Sequence, residues 1–140
     1  MARLRPYPVA AFCAVTLFIW TNRVWLAWTD DADSVARKLL WSVPITAFVI
    51  AAAVVAGLLL TGRAERTSWF APLVRAFAAG TIAFWAIRAP MIALADHDVP
   101  FVVVHTVLAL ASVGTAIGAW RAVGRSARPV PAERTPEPVR

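Results

Sequence analysis

Two arginines, Arg23 and Arg88, lie inside long apolar stretches of the 140-residue chain. Each is about six residues, or roughly 9 Å along a helix, from the predicted outer end of its stretch. A guanidinium is costly to place there, so an arginine inside an apolar segment usually has a partner or a function. Its planar fork of N–H donors matches a carboxylate or a phosphate. The sequence leaves three interpretations: a structural ion pair, a binding site for an anion, a lipid headgroup or a quinone-like carbonyl, or a lipid-facing arginine that snorkels to the membrane surface.

The binding hypothesis gains support from the neighbours of the two arginines. Asn22 precedes Arg23, and a tryptophan lies three residues before each arginine. Both helices are predicted to run outward, and helical side chains lean back toward the N-terminus, so the guanidiniums point into the membrane; this direction disfavours snorkelling to the outer surface and favours partners inside the bundle. The predicted ligand-binding residues are Arg23, Arg88, Asn22, Trp20, Trp85 and His105.

The structural alternative assigns the aspartates of the predicted outer loops. Asp31 and Asp96 each follow an arginine by eight residues, and ion pairs with the arginines would lock the outer ends of the helices together. Asp33 and Asp98 immediately precede predicted helices, where an aspartate satisfies free backbone N–H groups as an N-cap.

The run Asp96-His97-Asp98, with His105 further on, suggests a metal site. However, no second cluster of ligands exists in the sequence, and capping explains Asp98 more simply. The chain also lacks a Gly-rich phosphate loop, a nucleophile elbow and paired catalytic carboxylates. We therefore predict no metal, no cofactor and no enzymatic activity.

Four apolar stretches must position these residues, at about 8–28, 38–61, 69–94 and 99–121. Each approaches or exceeds the ~20 residues that a helix needs to cross a hydrocarbon core, and none alternates as a barrel strand does. The chain is 60% hydrophobic and only 16% charged, with a mean hydropathy of +0.67. We predict an all-α, polytopic membrane protein with a four-transmembrane-helix bundle over residues 1–124.

The charge distribution predicts the orientation of this bundle. Arg37 and Lys38 are the cations at one side, and the other side carries Arg3, Arg5, Arg63, Arg66, Arg75, Arg121, Arg125 and Arg128. The positive-inside rule then places both termini in the cytoplasm, in a bacterial plasma membrane. Because topology accounts for the net charge of +6, we predict no nucleic-acid partner. Residues 125–140, rich in proline and arginine, are predicted to form a disordered cytoplasmic tail.

The first and third stretches are related by an internal repeat. At an offset of 65, residues 8–33 lie over residues 73–98 with nine identities, including Trp20 with Trp85 and Arg23 with Arg88. Two spans per unit preserve orientation, so the sequence predicts two tandem helical hairpins related by an axis along the membrane normal. Equivalent residues would then lie at equal depth on opposite sides of that axis.

Gly114 and Gly118 form a Gly-x-x-x-Gly motif, which allows two helices to approach closely. The motif serves either a homodimer or packing within the bundle.

The function that needs no feature beyond those above is that of an accessory, structural or interaction subunit. Its partners would be the lipid bilayer and either a second copy or another membrane protein. The alternative is a small oligomeric transporter or binding protein with an outward-facing Arg/Trp/Asn pocket for an anionic or lipid-like ligand. Small multidrug exporters have a similar size, but they depend on a carboxylate deep in a span, and none occurs here.

Short motifs in both halves of the chain resemble those of one group of proteins. They are Asn22-Arg23-Val24-Trp25, Asp96-His97-Asp98 and Val104-His105-Thr106. In these motifs the chain resembles small four-span membrane proteins of unassigned function from actinobacteria, over about residues 8–123. The resemblance implies a membrane location and no particular activity.

Overall fold

A computed structural model of the chain describes residues 6–29 and 34–126, apart from the side chains at positions 41, 125 and 126. The described residues form four long helices, α1 (Pro6–Thr29), α2 (Val35–Leu60), α3 (Phe70–Leu94) and α4 (Val99–Ser126), with a 3₁₀ turn at Ala64–Arg66. The prediction of an all-α chain with four apolar helices is confirmed. The predicted stretches match the helices to within three residues, except that α4 continues beyond residue 121. Consequently the first two residues of the predicted tail belong to α4, and residues 127–140 lie outside the described part.

Each of the four helices is long and apolar enough to cross a membrane. Large apolar side chains also cover the outside of the bundle, and Leu60, Leu94 and Leu110 are each more than two-thirds exposed. Water-soluble proteins rarely expose contiguous apolar surface on this scale. Lipid, by contrast, solvates such a surface without cost, so the exterior is that of a membrane-embedded bundle.

The helices pack in a ring in which α1 contacts α2 and α4, and α3 contacts α4 and, less extensively, α2. A Cβ atom at Gly118 of α4 would lie 3.8 Å from the Cβ of Pro8 in α1. At the other end of α1, the Trp28 indole donates a hydrogen bond to Ser42 Oγ of α2 at 3.1 Å. We call the end where α1 and α3 begin the terminal end, and the opposite end the loop end.

Helices α1 and α3 lie diagonally across the ring and meet through aromatic side chains. The rings of Phe12 and Phe77 have centroids 4.3 Å apart, and Phe48 of α2 closes the space beside them, 6.2 Å from Phe77. Around α4 the core is made of small residues instead. Ala116 and Ala119 are fully buried, which lets α4 approach its neighbours closely.

The buried positions of α1 recur in α3 at the 65-residue offset that the sequence identities define. All five buried positions of α1 have a buried equivalent in α3: Val9/Val74, Phe12/Phe77, Cys13/Ala78, Thr16/Thr81 and Trp20/Trp85. Two of these pairs are in direct ring contact, Phe12 with Phe77 and Trp20 with Trp85. Equivalent residues of α1 and α3 therefore face each other across the middle of the bundle.

Residues at the helix ends provide the hydrogen bonds and the backbone conformation with which α2 and α4 begin and α2 ends. Ser34 is the N-cap of α2, and its side chain accepts a hydrogen bond from the Arg37 backbone N–H at 3.4 Å. The cap is thus one residue later than predicted, and Asp33 itself lies outside the described residues. Asp98 directly precedes α4, and its backbone carbonyl accepts a hydrogen bond from the Val102 N–H at 3.2 Å; that its side chain caps the helix stays a prediction. At the end of α2, Gly62 adopts a φ of 66°, which glycine permits without strain.

The two glycines of the Gly-x-x-x-Gly motif have different surroundings. Gly118 packs on Pro8, whereas a Cβ atom at Gly114 would meet nothing within 4 Å. Gly118 therefore serves packing within the bundle, and Gly114 does not.

This difference makes the two glycines a matched pair for a stability experiment. We expect Gly118→Leu to lower the free energy of unfolding by about 1–3 kcal/mol, because the larger side chain forces α1 and α4 apart. Gly114→Leu should not lower it and should raise it by up to about 1 kcal/mol, because leucine has the higher helix propensity and meets no neighbour there. Equilibrium unfolding in mixed micelles measures both, and equal losses would contradict the assigned helix contact.

Candidate functional site

A cavity of about 320 Å³ lies in the loop-end half of the bundle and is lined by α1, α3 and α4. Its lining consists of Phe18, Ile19, Trp20, Asn22, Arg23 and Leu26 from α1, Phe84, Trp85 and Arg88 from α3, and Val104, His105 and Leu108 from α4. We call it the loop-end cavity. It brings together all six residues of the predicted ligand-binding set, although ligand binding itself stays a prediction.

Aromatic rings form the inner wall of the loop-end cavity. Trp20 and Trp85 are only 6% and 4% exposed. Phe84 contacts both indoles edge to face, with centroids 5.0 Å from Trp20 and 5.7 Å from Trp85. Phe48 of α2 stacks on the other side of Trp20 at 5.7 Å. Such interlocked rings hold a rigid apolar wall.

Polar groups enter the cavity from all three lining helices. Arg23 is exposed, while Arg88 is half-buried and also interacts within the protein. The Asn22 side chain donates to the Phe18 carbonyl at 2.7 Å, which fixes its amide beside Arg23. None of the described lining residues is acidic. The cavity therefore combines two positive charges with a largely apolar lining, which favours a ligand of opposite charge.

His105 contributes a polar group from α4, and its geometry determines which nitrogen is available. Its Nδ1 lies 2.8 Å from the Phe101 carbonyl oxygen. A carbonyl can only accept, so Nδ1 carries the hydrogen and Nε2 is the nitrogen left for a ligand. The Phe101 ring contacts the imidazoles of both His97 and His105, at 4.5 and 4.0 Å. Aromatic packing thus accounts for the shared face of the two histidines, and the described residues contain no group of three or more metal-ligating side chains.

Two buried polar atoms of α3 are unsatisfied within the described residues. Trp85 Nε1 and Thr81 Oγ1 have no hydrogen-bond partner within the described part of the chain. Thr81 is one helical turn before Trp85, on the same buried face. Each unsatisfied group costs about 1–3 kcal/mol. Of the two residues, Trp85 lines the cavity and Thr81 does not.

The remaining predicted residues lie elsewhere or outside the described ranges. Asp96 is exposed beyond the end of α3, and within the described residues it forms no ion pair. Asp31, the other predicted ion-pair residue, lies outside those ranges, so that pairing stays a prediction. Gly114 and Gly118 are two or more turns from His105 along α4 and do not line the cavity.

Half of the lining was not predicted from the sequence. The missed residues are Phe18, Ile19, Leu26, Phe84, Val104 and Leu108. Leu26 lies three residues after Arg23, and Leu108 three residues after His105, so helical spacing from the polar residues was the signal that could have found them. Phe84 lies four residues before Arg88 in α3 and carries the same signal.

Comparisons with protein-family models, curated proteins and solved structures found no match for this chain. Its function must therefore be inferred from the chemistry of the loop-end cavity.

Proposed function

We propose that this chain is an integral membrane protein that binds an acidic amphiphile, a molecule with a carboxylate or phosphate head and an apolar tail, in the loop-end cavity. The observation that carries the proposal is the convergence of Arg23 and Arg88 on one cavity whose other walls are aromatic and aliphatic. Two guanidiniums pair with an anionic head, and desolvation by the apolar walls strengthens that pairing. The same walls accommodate the tail.

The size of the cavity favours a slender ligand. At about 320 Å³ it lies at the lower end of the ~300–1,000 Å³ range of ligand pockets. One chain of a single-tailed acid fits such a volume better than a bulky ring system does. Asn22 and the Nε2 atom of His105 then supply neutral polar contacts beside the two cations.

Duplication of a helical hairpin explains why two arginines meet at one site. In this proposal α1–α2 and α3–α4 are two copies related by an axis along the membrane normal, which places Arg23 and Arg88 at equal depth. The shared burial pattern of α1 and α3 supports it, as does the contact between the equivalent residues Trp20 and Trp85.

The basic residues support an orientation in which the cavity opens outward. Arg63, Arg66, Arg75 and Arg121 all lie toward the terminal end. The positive-inside rule places that end, and both termini, on the cytoplasmic side of a bacterial plasma membrane. The loop-end cavity then faces the outer leaflet.

A second candidate function is the accessory subunit that packs against itself or another membrane protein. The open face of α4 at Gly114 favours it, because a small residue without a neighbour permits close approach of a further helix. If a second copy uses this face, Gly114→Leu will remove the dimer that crosslinking detects in native membranes. Retention of that dimer in the variant would contradict this role for Gly114.

Binding of palmitic acid in neutral detergent, followed by native mass spectrometry, tests the proposed function. Hexadecanol has the same tail without the charge, and acetate has the charge without the tail. We expect the acid to bind at least about tenfold more tightly than the alcohol, as one charge-assisted hydrogen bond implies, and acetate to bind no more than weakly. Equal binding of acid and alcohol would contradict the proposal.

A further inference from the structure

A second concave surface lies on the outside of the bundle, between α3 and α4. It has a volume of about 430 Å³ and is lined by Ala79, Ile82 and Ala83 of α3 and by Ile117, Trp120 and Arg121 of α4. We call it the α3–α4 groove. It shares no described residue with the loop-end cavity, and it leads from the middle of the helices toward the terminal end.

The floor of the α3–α4 groove is apolar and narrow. Ala79 and Ala83 are one helical turn apart, and their small side chains leave a furrow along α3. Ile82 and Ile117 form its sides. The surrounding exposed surface is apolar too. An acyl chain of the bilayer can therefore lie in the furrow in close van der Waals contact with its walls.

Positive charge is concentrated toward the terminal end of the groove. Arg121 is exposed on its rim. The Arg75 guanidinium lies over the Trp120 ring, 6.0 Å from its centroid, and its Nε atom is buried with no hydrogen-bond partner within the described residues. Trp120 is 42% exposed, as expected of an indole at a membrane interface, where one side of the ring is apolar and the N–H is wet.

We infer that the α3–α4 groove binds one anionic phospholipid from the leaflet at the terminal end, with an acyl chain in the furrow and the phosphate beside Arg121 and Arg75. Charge complementarity selects this occupant, because the described lining holds a cation at one end and no acidic residue. A guanidinium donates paired hydrogen bonds to a phosphate. A helix from a second copy is the competing occupant, and it would leave the rim arginine without an anion.

Native mass spectrometry with phosphatidylglycerol and phosphatidylcholine of identical acyl chains tests the inference. We expect the wild-type protein to bind phosphatidylglycerol about tenfold more tightly, since the extra affinity comes from charge-assisted pairing. Arg121→Gln should remove most of this preference. The matched control is Arg63→Gln, which removes one exposed charge from the same end, outside the groove; it should keep the preference.

A variant that fills the furrow separates the contribution of the tail from that of the headgroup. Ala83→Phe should weaken both lipids about equally, because it blocks the acyl chain and leaves the cations in place. Equal affinity of the wild-type protein for the two lipids would overturn the inference, as would equal losses in the Arg121 and Arg63 variants. A protein dimer that forms in place of the lipid adduct would also overturn it. These results are independent of the loop-end cavity, since none of the variants lines it.

Discussion

Replacing Arg23 and Arg88 together with glutamine is expected to lower the affinity of the protein for palmitic acid by about a hundredfold or more. Each guanidinium contributes at least one charge-assisted hydrogen bond to the head, about 1.5–3 kcal/mol, and each 1.4 kcal/mol is about tenfold in affinity. Glutamine keeps a polar side chain in each place, so the change isolates the charge. The loss should appear in the binding of the acid and not in that of hexadecanol.

The two single variants should differ from each other. Arg23 is exposed, so Arg23→Gln should weaken binding about tenfold and leave thermal stability unchanged. Arg88 is half-buried and interacts within the protein, so Arg88→Gln should lower both affinity and melting temperature. Arg37→Gln is the control, because Arg37 lies at the same end of the bundle and does not line the cavity. If it weakened binding as much as the cavity variants do, general attraction to the positive loop end would explain the result.

Truncation of Phe77 to alanine is expected to lower the free energy of unfolding by about 3–5 kcal/mol. Phe77 is 5% exposed and joins three helices through its contacts with Phe12 and Phe48. Its removal leaves a cavity at the centre of the bundle that the rigid neighbouring rings cannot close. Equilibrium unfolding in mixed micelles measures the change.

The control for this prediction is a lipid-facing residue of the same helix. Ile87 is 67% exposed, so lipid or detergent surrounds its side chain before and after unfolding. Ile87→Ala should therefore cost no more than about 0.5 kcal/mol. The double variant of Phe12 and Phe77 should show a coupling of about 0.5–1.5 kcal/mol from the ring contact. A cost at Ile87 equal to that at Phe77 would contradict the packing of α3.

Hydropathy predicts the helices of this chain well because each apolar run is long enough to cross a bilayer. It fails at the end of α4, because hydropathy follows the apolar region while backbone hydrogen bonding continues through Arg121 to Ser126. It also cannot separate Asp33 from Ser34 as the cap of α2, since both residue types cap helices well.

The candidate site was predictable only in its polar part. Arg23 and Arg88 stand out because charge is rare inside an apolar run, and because the predicted repeat aligns them with each other at the 65-residue offset. Nothing in their hydropathy distinguishes the apolar lining residues from other apolar residues of the same helices. In a membrane bundle both the interior and the lipid-facing surface are apolar, so the sequence does not distinguish Leu108, which lines the cavity, from Leu110, which faces outward.

Photolabelling with a diazirine analogue of palmitic acid tests the central claim most directly, because it reports where the acid binds. The loop-end cavity predicts labelled peptides from residues 18–26 of α1, 84–88 of α3 and 104–108 of α4, with labelling that excess palmitic acid removes and hexadecanol does not. Helix α2 contributes no described lining residue and should carry only background label. Labelling spread evenly over all four helices, and unaffected by excess acid, would contradict the proposed site.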